Sequence, residues 1–111
     1  MRSNLLKMKV LKFGGTSVGS VENMCNVKNI INDGTKKIVV LSAMSGTTNK
    51  LVAIAQDINK GNPNEALDKI SELHKAYFST IDNLLYNSIL NERVKNYVSG
   101  VFILLNECAH K

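Results

Sequence analysis

The stretch Lys12-Phe13-Gly14-Gly15-Thr16-Ser17-Val18-Gly19-Ser20 holds the residue types best suited to chemistry. A lysine at the end of an apolar run, two adjacent glycines and several hydroxyls ahead of a helix together build an anion site. Backbone N–H groups at the helix start point at the ligand, the positive end of the helix adds to them, glycines let phosphate oxygens approach the main chain, and the lysine supplies a full charge. The chemistry indicated is phosphate binding. Two common phosphate motifs do not fit. The dinucleotide fingerprint GxGxxG fails because Gly14 and Gly15 are adjacent and the next glycine is Gly19. The Walker A spacing is present at Gly14 and Gly19, but Ser20-Val21 stands where a lysine and then a serine or threonine belong. The plainer reading is a tight turn between strand and helix with Lys12 solvated. A second loop, Ser42-Ala43-Met44-Ser45-Gly46-Thr47-Thr48-Asn49, is also rich in hydroxyls and small residues. Its free N–H groups ahead of a helix suit a carboxylate, whereas the plainer reading makes Ser42 or Thr48 a helix cap.

The elements around these loops must place them together. Met8 to Phe13 mixes β-branched and apolar residues and runs into Gly14-Gly15, the pattern of a strand ending in a tight turn. Ser20 is the N-cap of a helix marked by Val21, Met24, Val27, Ile30 and Ile31, which stops at Asp33-Gly34. After Lys36 and Lys37, Ile38-Val39-Val40-Leu41 is a continuous apolar run that reads as a strand buried on both faces of a parallel sheet. Leu51, Ile54, Ala55 and Ile58 then return to helical period. Two strand-loop-helix units in series predict a right-handed βαβ crossover with both loops at one carboxyl edge of the sheet.

Gly61-Asn62-Pro63-Asn64 breaks the chain at its only proline. Beyond it, Ala66, Leu67, Ile70, Leu73, Tyr77, Ile81 and Leu84 mark one long amphipathic helix. A second follows a turn near Tyr86-Asn87-Ser88, marked by Val94, Tyr97, Val98, Val101, Ile103, Leu104 and Leu105. An antiparallel hairpin with both stripes in the core is expected.

Composition narrows the class. The chain has 111 residues, formal charge +5, 44 % apolar and 21 % charged residues, which suits one globular domain. One core fits in that length, and a two-lobed cleft does not. No apolar run approaches the roughly 20 residues of a membrane span, and the basic start of the chain lacks the apolar segment of a leader. A cytoplasmic protein is therefore expected. Aromatics at 5 % and the lack of an Arg/Lys-rich stretch argue against a nucleic-acid partner. Cys25 and Cys108 have no metal-binding or redox spacing and read as small core residues. His74 and His110 are isolated from other ligand types, so no metal site is expected.

Val10-Leu11-Lys12-Phe13-Gly14-Gly15-Thr16-Ser17-Val18 resembles the first signature of the aspartate kinases, and Val39-Val40-Leu41-Ser42-Ala43-Met44-Ser45-Gly46-Thr47-Thr48-Asn49 resembles their second. The resemblance covers most of Met8 to Lys111. It implies the amino-acid kinase fold, an α/β class αβα sandwich around a parallel sheet, here its amino-terminal portion followed by a helical hairpin. The βαβα part would span residues 8–60 and the helical segment residues 64–111. The implied reaction moves the γ-phosphoryl group of ATP, with Mg²⁺, to the β-carboxylate of L-aspartate. By motif position, Lys12 would contact the transferring phosphate, Phe13, Gly14, Gly15, Thr16 and Ser17 would surround it, and Ser42 and Thr48 would hold the aspartate. The rest of the kinase domain and the ACT regulatory domains of this family are absent from these 111 residues, so the chain is expected to be an inactive piece of a homo-oligomeric enzyme. The alternatives are another kinase of the superfamily, or a non-catalytic anion-binding or interaction module.

Overall fold

In a computed structural model the protein is described over residues 8–110, so the basic start of the chain lies outside the described residues. The order is β1 (Lys9–Phe13), α1 (Val21–Ile31), β2 (Lys37–Leu41), α2 (Thr47–Asn59), α3 (Pro63–Leu84) and α4 (Ser88–Ala109). Two compact units divide the chain, one up to Thr47 and one from Thr48 onward. The α2 helix thus belongs with the helices that follow it.

In the first unit β1 and β2 pair in parallel, in register from Lys9 opposite Lys37 to Phe13 opposite Leu41. Side chains alternate between the two faces of a strand. Leu11, Phe13 and Val39 lie half-buried on one face, and Val27 and Ile30 of α1 line a cavity with Phe13, so α1 covers that face. Val10, Lys12, Ile38 and Val40 share the other face and are exposed. The apolar run in β2 is therefore not buried on both sides as its composition suggests, because among the described residues α1 is the only layer laid on the sheet within this unit.

Local chemistry explains the ends of α1. Ser20 Oγ accepts the Asn23 N–H at 3.1 Å, Glu22 stands in the positively polarised first turn, and the Asn32 N–H closes the last turn on the Lys28 carbonyl at 3.0 Å. Gly34, at φ +76°, makes the turn that follows. Lys37 then donates to the Ile31 carbonyl at 2.6 Å and pairs with Asp33, which ties the crossover to the start of β2.

In the second unit α2 ends in a Schellman turn. Gly61 is in the left-handed region, its N–H reaches the Ile58 carbonyl, and the Asn62 N–H reaches Asp57. Pro63 opens α3, where its missing N–H has no intrahelical acceptor to lose. The Asn87 side chain caps α4 by accepting from Ile89 and Leu90 N–H at 3.0 and 3.1 Å. The α3 and α4 helices form the expected antiparallel hairpin. Near the turn Asp82 bonds Lys95 at 2.6 Å and Asn91 at 3.0 Å, and farther along His74 stacks on Phe102 with 4.4 Å between ring centroids. The core is Ile54, Ala66, Ile70, Leu73, Phe102 and Ala109, drawn from all three helices.

Two expectations need correction. In α4 the residues facing the core are Val98, Phe102, Leu105 and Ala109, while Tyr97, Val101, Ile103 and Leu104 are exposed. The helix is apolar on more than one face, and only one face meets α3. Cys25 and Cys108 are free and exposed rather than core residues. At 100° per residue, Cys25 lies about 200° around α1 from buried Val27, and Cys108 about 100° around α4 from buried Ala109. Among the described residues no group of three or more His, Cys, Asp or Glu side chains is placed to hold a metal ion.

Candidate functional site

The glycine loop leaves β1 at Gly14 and turns through Gly15 to Val18 before α1 begins. The parallel register brings the end of β2 alongside, where the Ser42 N–H donates to the Phe13 carbonyl at 3.1 Å. Three residues farther along this loop and two along the glycine loop, the Ser45 N–H donates to the Gly15 carbonyl at 3.2 Å. The two loops are thereby joined main chain to main chain at the carboxyl edge of the sheet.

Two glycines exist for that contact. A Cβ at Gly15 would stand 3.1 Å from the Ala43 carbonyl oxygen, and one at Gly19 would stand 2.9 Å from the Gly15 oxygen and 3.0 Å from the Ser45 Cβ. Gly14 differs, since a Cβ there would meet nothing within 4 Å and its φ is not in the left-handed region. Among the described residues neither packing nor backbone geometry requires glycine at that position. Its bare main chain is open to a ligand.

The loop is held rigid by groups that leave its donors free. The Asn23 side-chain amide donates to the Thr16 carbonyl at 2.9 Å, and the Gly19 N–H closes on the same oxygen at 3.2 Å. Among the described residues the backbone N–H groups of Gly15, Thr16 and Ser17 find no acceptor. Thr16 is exposed, and both Thr16 and Ser17 border a cavity of about 220 Å³ against Phe13 and α1. Adjacent unspent donors of this kind form a concavity for an anion.

The other candidate residues distribute as follows. Lys12, exposed, stands on the uncovered sheet face opposite Val40, one residue before the strand ends. The Phe13 ring turns the other way, into the cavity beneath α1. Ser42 is exposed at the joined loops, and Thr48, also exposed, lies in the first turn of α2 at the start of the second unit. Since α2 begins at Thr47, neither Ser42 nor Thr48 occupies its cap position. Asn23 was legible only as a residue of the first helical turn; its clamp on Thr16 depends on a loop conformation that spacing does not encode.

Neither loop contains a carboxylate, from Lys12 to Ser20 or from Ser42 to Asn49. A hard dication such as Mg²⁺ takes oxygen ligands, chiefly carboxylates and phosphates, so the residues described do not by themselves fit a magnesium site. The two carboxyl groups held below their ordinary range belong to structural clips elsewhere. Lys37 and then Thr35 hold Asp33 down, and Lys95 and then Asn91 do the same for Asp82.

Residues 7–102 match the amino acid kinase family. The chain belongs to that family. Among its relatives, it is 32 % identical over 101 residues to the lysine-sensitive aspartokinase 3 of Escherichia coli, covering 90 % of this chain and 22 % of that protein. It is 45 % identical over 65 residues to an aspartokinase of a Bacillus species, covering 55 % of this chain and 16 % of the relative. The crystal structure of Escherichia coli aspartokinase III in complex with lysine and aspartate superposes with a TM-score of 0.70 at 31 % identity, covering 92 % of this chain and 22 % of that one. This member of the amino acid kinase family therefore spans about a fifth of the length of these relatives. The resemblance read from the two signatures is borne out, and so is the α/β fold of the family with its parallel strands.

Proposed function

We propose that this chain provides the phosphate loop and part of the aspartate site of an aspartate kinase. The reaction is transfer of the γ-phosphoryl group of ATP to the β-carboxylate of L-aspartate, giving 4-phospho-L-aspartate, the entry to lysine, threonine and methionine synthesis in the cytoplasm. The observation that carries this reading is the set of N–H donors on Gly15, Thr16 and Ser17 left unspent among the described residues, beside a Gly14 that none of those residues requires. Similarity to aspartokinases supports that choice of substrates. Among the described residues no helix is long and apolar enough to cross a membrane.

The chemistry asks little of the protein in proton transfer. A carboxylate is already an ionised nucleophile, so no general base is needed; the barrier comes from bringing anion against anion and from charge shifting on the phosphoryl oxygens. Backbone donors fixed by the Asn23 clamp supply preorganised positive ends at no cost in reorganisation. Lys12 adds a full charge to the transferring phosphate. Ser42 and Thr48 hold the aspartate in place, a contribution of positioning. In this reading residues 1–111 are the amino-terminal portion of a kinase domain, and the remainder of that domain completes the nucleotide site.

The test is titration of the 111-residue chain with inorganic phosphate, ATP and L-aspartate, followed by backbone amide chemical shifts. Shifts at Gly15, Thr16 and Ser17 with phosphate and with ATP, without turnover, support the reading. Amide shifts unmoved by either anion would remove the phosphate loop from it.

A further inference from the structure

On the reading of Gly15, Thr16 and Ser17 as phosphate donors, we propose that Asn23 is a positioning residue that aims the Ser17 N–H, by holding the carbonyl of the same peptide unit. The peptide bonds of the described residues are all trans, and in a planar trans unit the N–H points opposite to the C=O. Whatever fixes one end of a unit therefore directs the other. In the glycine loop the carbonyl ends are fixed one unit at a time. The Gly15 carbonyl accepts the Ser45 N–H at 3.2 Å, which turns the Thr16 N–H away from the second loop. The Thr16 carbonyl accepts the Asn23 side-chain amide at 2.9 Å and the Gly19 N–H at 3.2 Å, which turns the Ser17 N–H away from the start of α1.

Of the two donors on Thr16, Asn23 is the one anchored outside the loop. The Gly19 bond closes the loop's own turn and moves with it. Asn23 is the third residue of α1, its main-chain N–H is held by Ser20 Oγ at 3.1 Å, and its side chain borders the same cavity as Phe13, Thr16 and Ser17. Residue type matters here. Three residues after a serine cap, Glu or Gln commonly turns back to accept the N–H of the cap residue. An ionised carboxylate cannot donate to a carbonyl, whereas a primary amide can, and Asn23 directs its amide to the loop, seven residues back along the chain. The direction of an N–H decides its worth, since a hydrogen bond weakens steeply as it leaves the donor line. A donor aimed before the anion arrives also spares the cost of reorganisation.

Inorganic phosphate titrated into the isotope-labelled 111-residue chain tests the assignment, with the saturated amide shift of each loop residue read separately and the fold followed by urea unfolding. Asn23→Ala removes the clamp and leaves the Ser45 bond in place. It should weaken phosphate binding by roughly threefold to tenfold, as for one hydrogen bond, and should shrink the shift at Ser17 while that at Thr16 persists. Asn23→Asp, whose charge suits the first turn of a helix and so keeps α1 folded, cannot donate and should show the same selective loss at Ser17. Asp33→Asn, which loosens the same unit by breaking the pair with Lys37, should bind phosphate as the parent does. Equal affinity and equal shifts in the parent and Asn23→Ala overturn the role of Asn23 and leave the phosphate loop standing. So does an equal loss at all three amides, or a loss that Asp33→Asn reproduces. A parent chain whose loop amides ignore phosphate removes the phosphate loop itself, and this role with it.

Discussion

One methyl group added to Gly14 or to Gly19 separates the needs of packing from those of a ligand. At Gly19 the new Cβ would sit 2.9 Å from the Gly15 carbonyl oxygen, closer than real Cβ atoms tolerate, and 3.0 Å from the Ser45 Cβ, a tight contact in which the neighbour must give way. Overpacking of this kind costs about 1–3 kcal/mol. Because φ at Gly19 is not in the left-handed region, alanine recovers about 0.4–1 kcal/mol by restricting the unfolded chain. The net for Gly19→Ala therefore runs from about neutral to a loss of about 2.6 kcal/mol. At Gly14 nothing lies within 4 Å, so only the gain remains and Gly14→Ala should be more stable by about 0.4–1 kcal/mol. Urea unfolding followed by circular dichroism reads both, and a phosphate titration of the same proteins reads the ligand. Gly14→Ala is expected to gain stability and to lose phosphate affinity, since its methyl group stands where oxygens would approach the main chain. If it gains stability and binds phosphate normally, the loop is a turn and nothing more. If Gly19→Ala proves as stable as Gly14→Ala, the close approach of the two loops is refuted.

Other variants probe separate links. Lys12→Ala in the complete enzyme should lower kcat by at least ~100-fold, as loss of a charge on the transferring phosphate would; near-normal turnover removes Lys12 from the mechanism. Thr48→Val should raise KM for aspartate through loss of a hydrogen bond to a charged group, worth about 1.5–3 kcal/mol, and unchanged saturation argues against the contact. Asp33, held below its ordinary 3.8 by Lys37 and Thr35, contributes stability that is present above the unfolded value and is lost as pH falls toward its folded value. Asp33→Asn should therefore melt lower than the parent at neutral pH, with the gap closing under acid; a gap that persists unchanged into strong acid contradicts the clip. Ile70→Ala, at the centre of the helical core, should cost about 2–5 kcal/mol in urea unfolding.

The parts of the fold legible in the sequence are those decided by neighbours in the chain. Ser20 caps α1 because its oxygen needs only the N–H three residues on. Gly61 and Pro63 mark the α2–α3 corner because left-handed backbone and a missing N–H are local demands. Contacts across longer separations were not legible. Gly15 and Gly19 look like their neighbour Gly14 until Ala43 and Ser45 are brought against them. In α4 the lines 97, 101, 104 and 98, 102, 105 obey the same helical period, so periodicity cannot choose between them. The choice is made on α3, where His74 and Tyr77 receive the Phe102 ring.

Two surfaces follow the pattern of burial and yet are exposed among the described residues: the sheet face of Val10, Ile38 and Val40, and the α4 face of Leu90, Tyr97, Val101 and Leu104. A hydrophobic face is non-directional and accepts any apolar cover. In a chain that spans about a fifth of the length of its relatives, exposure of either face therefore names no occupant.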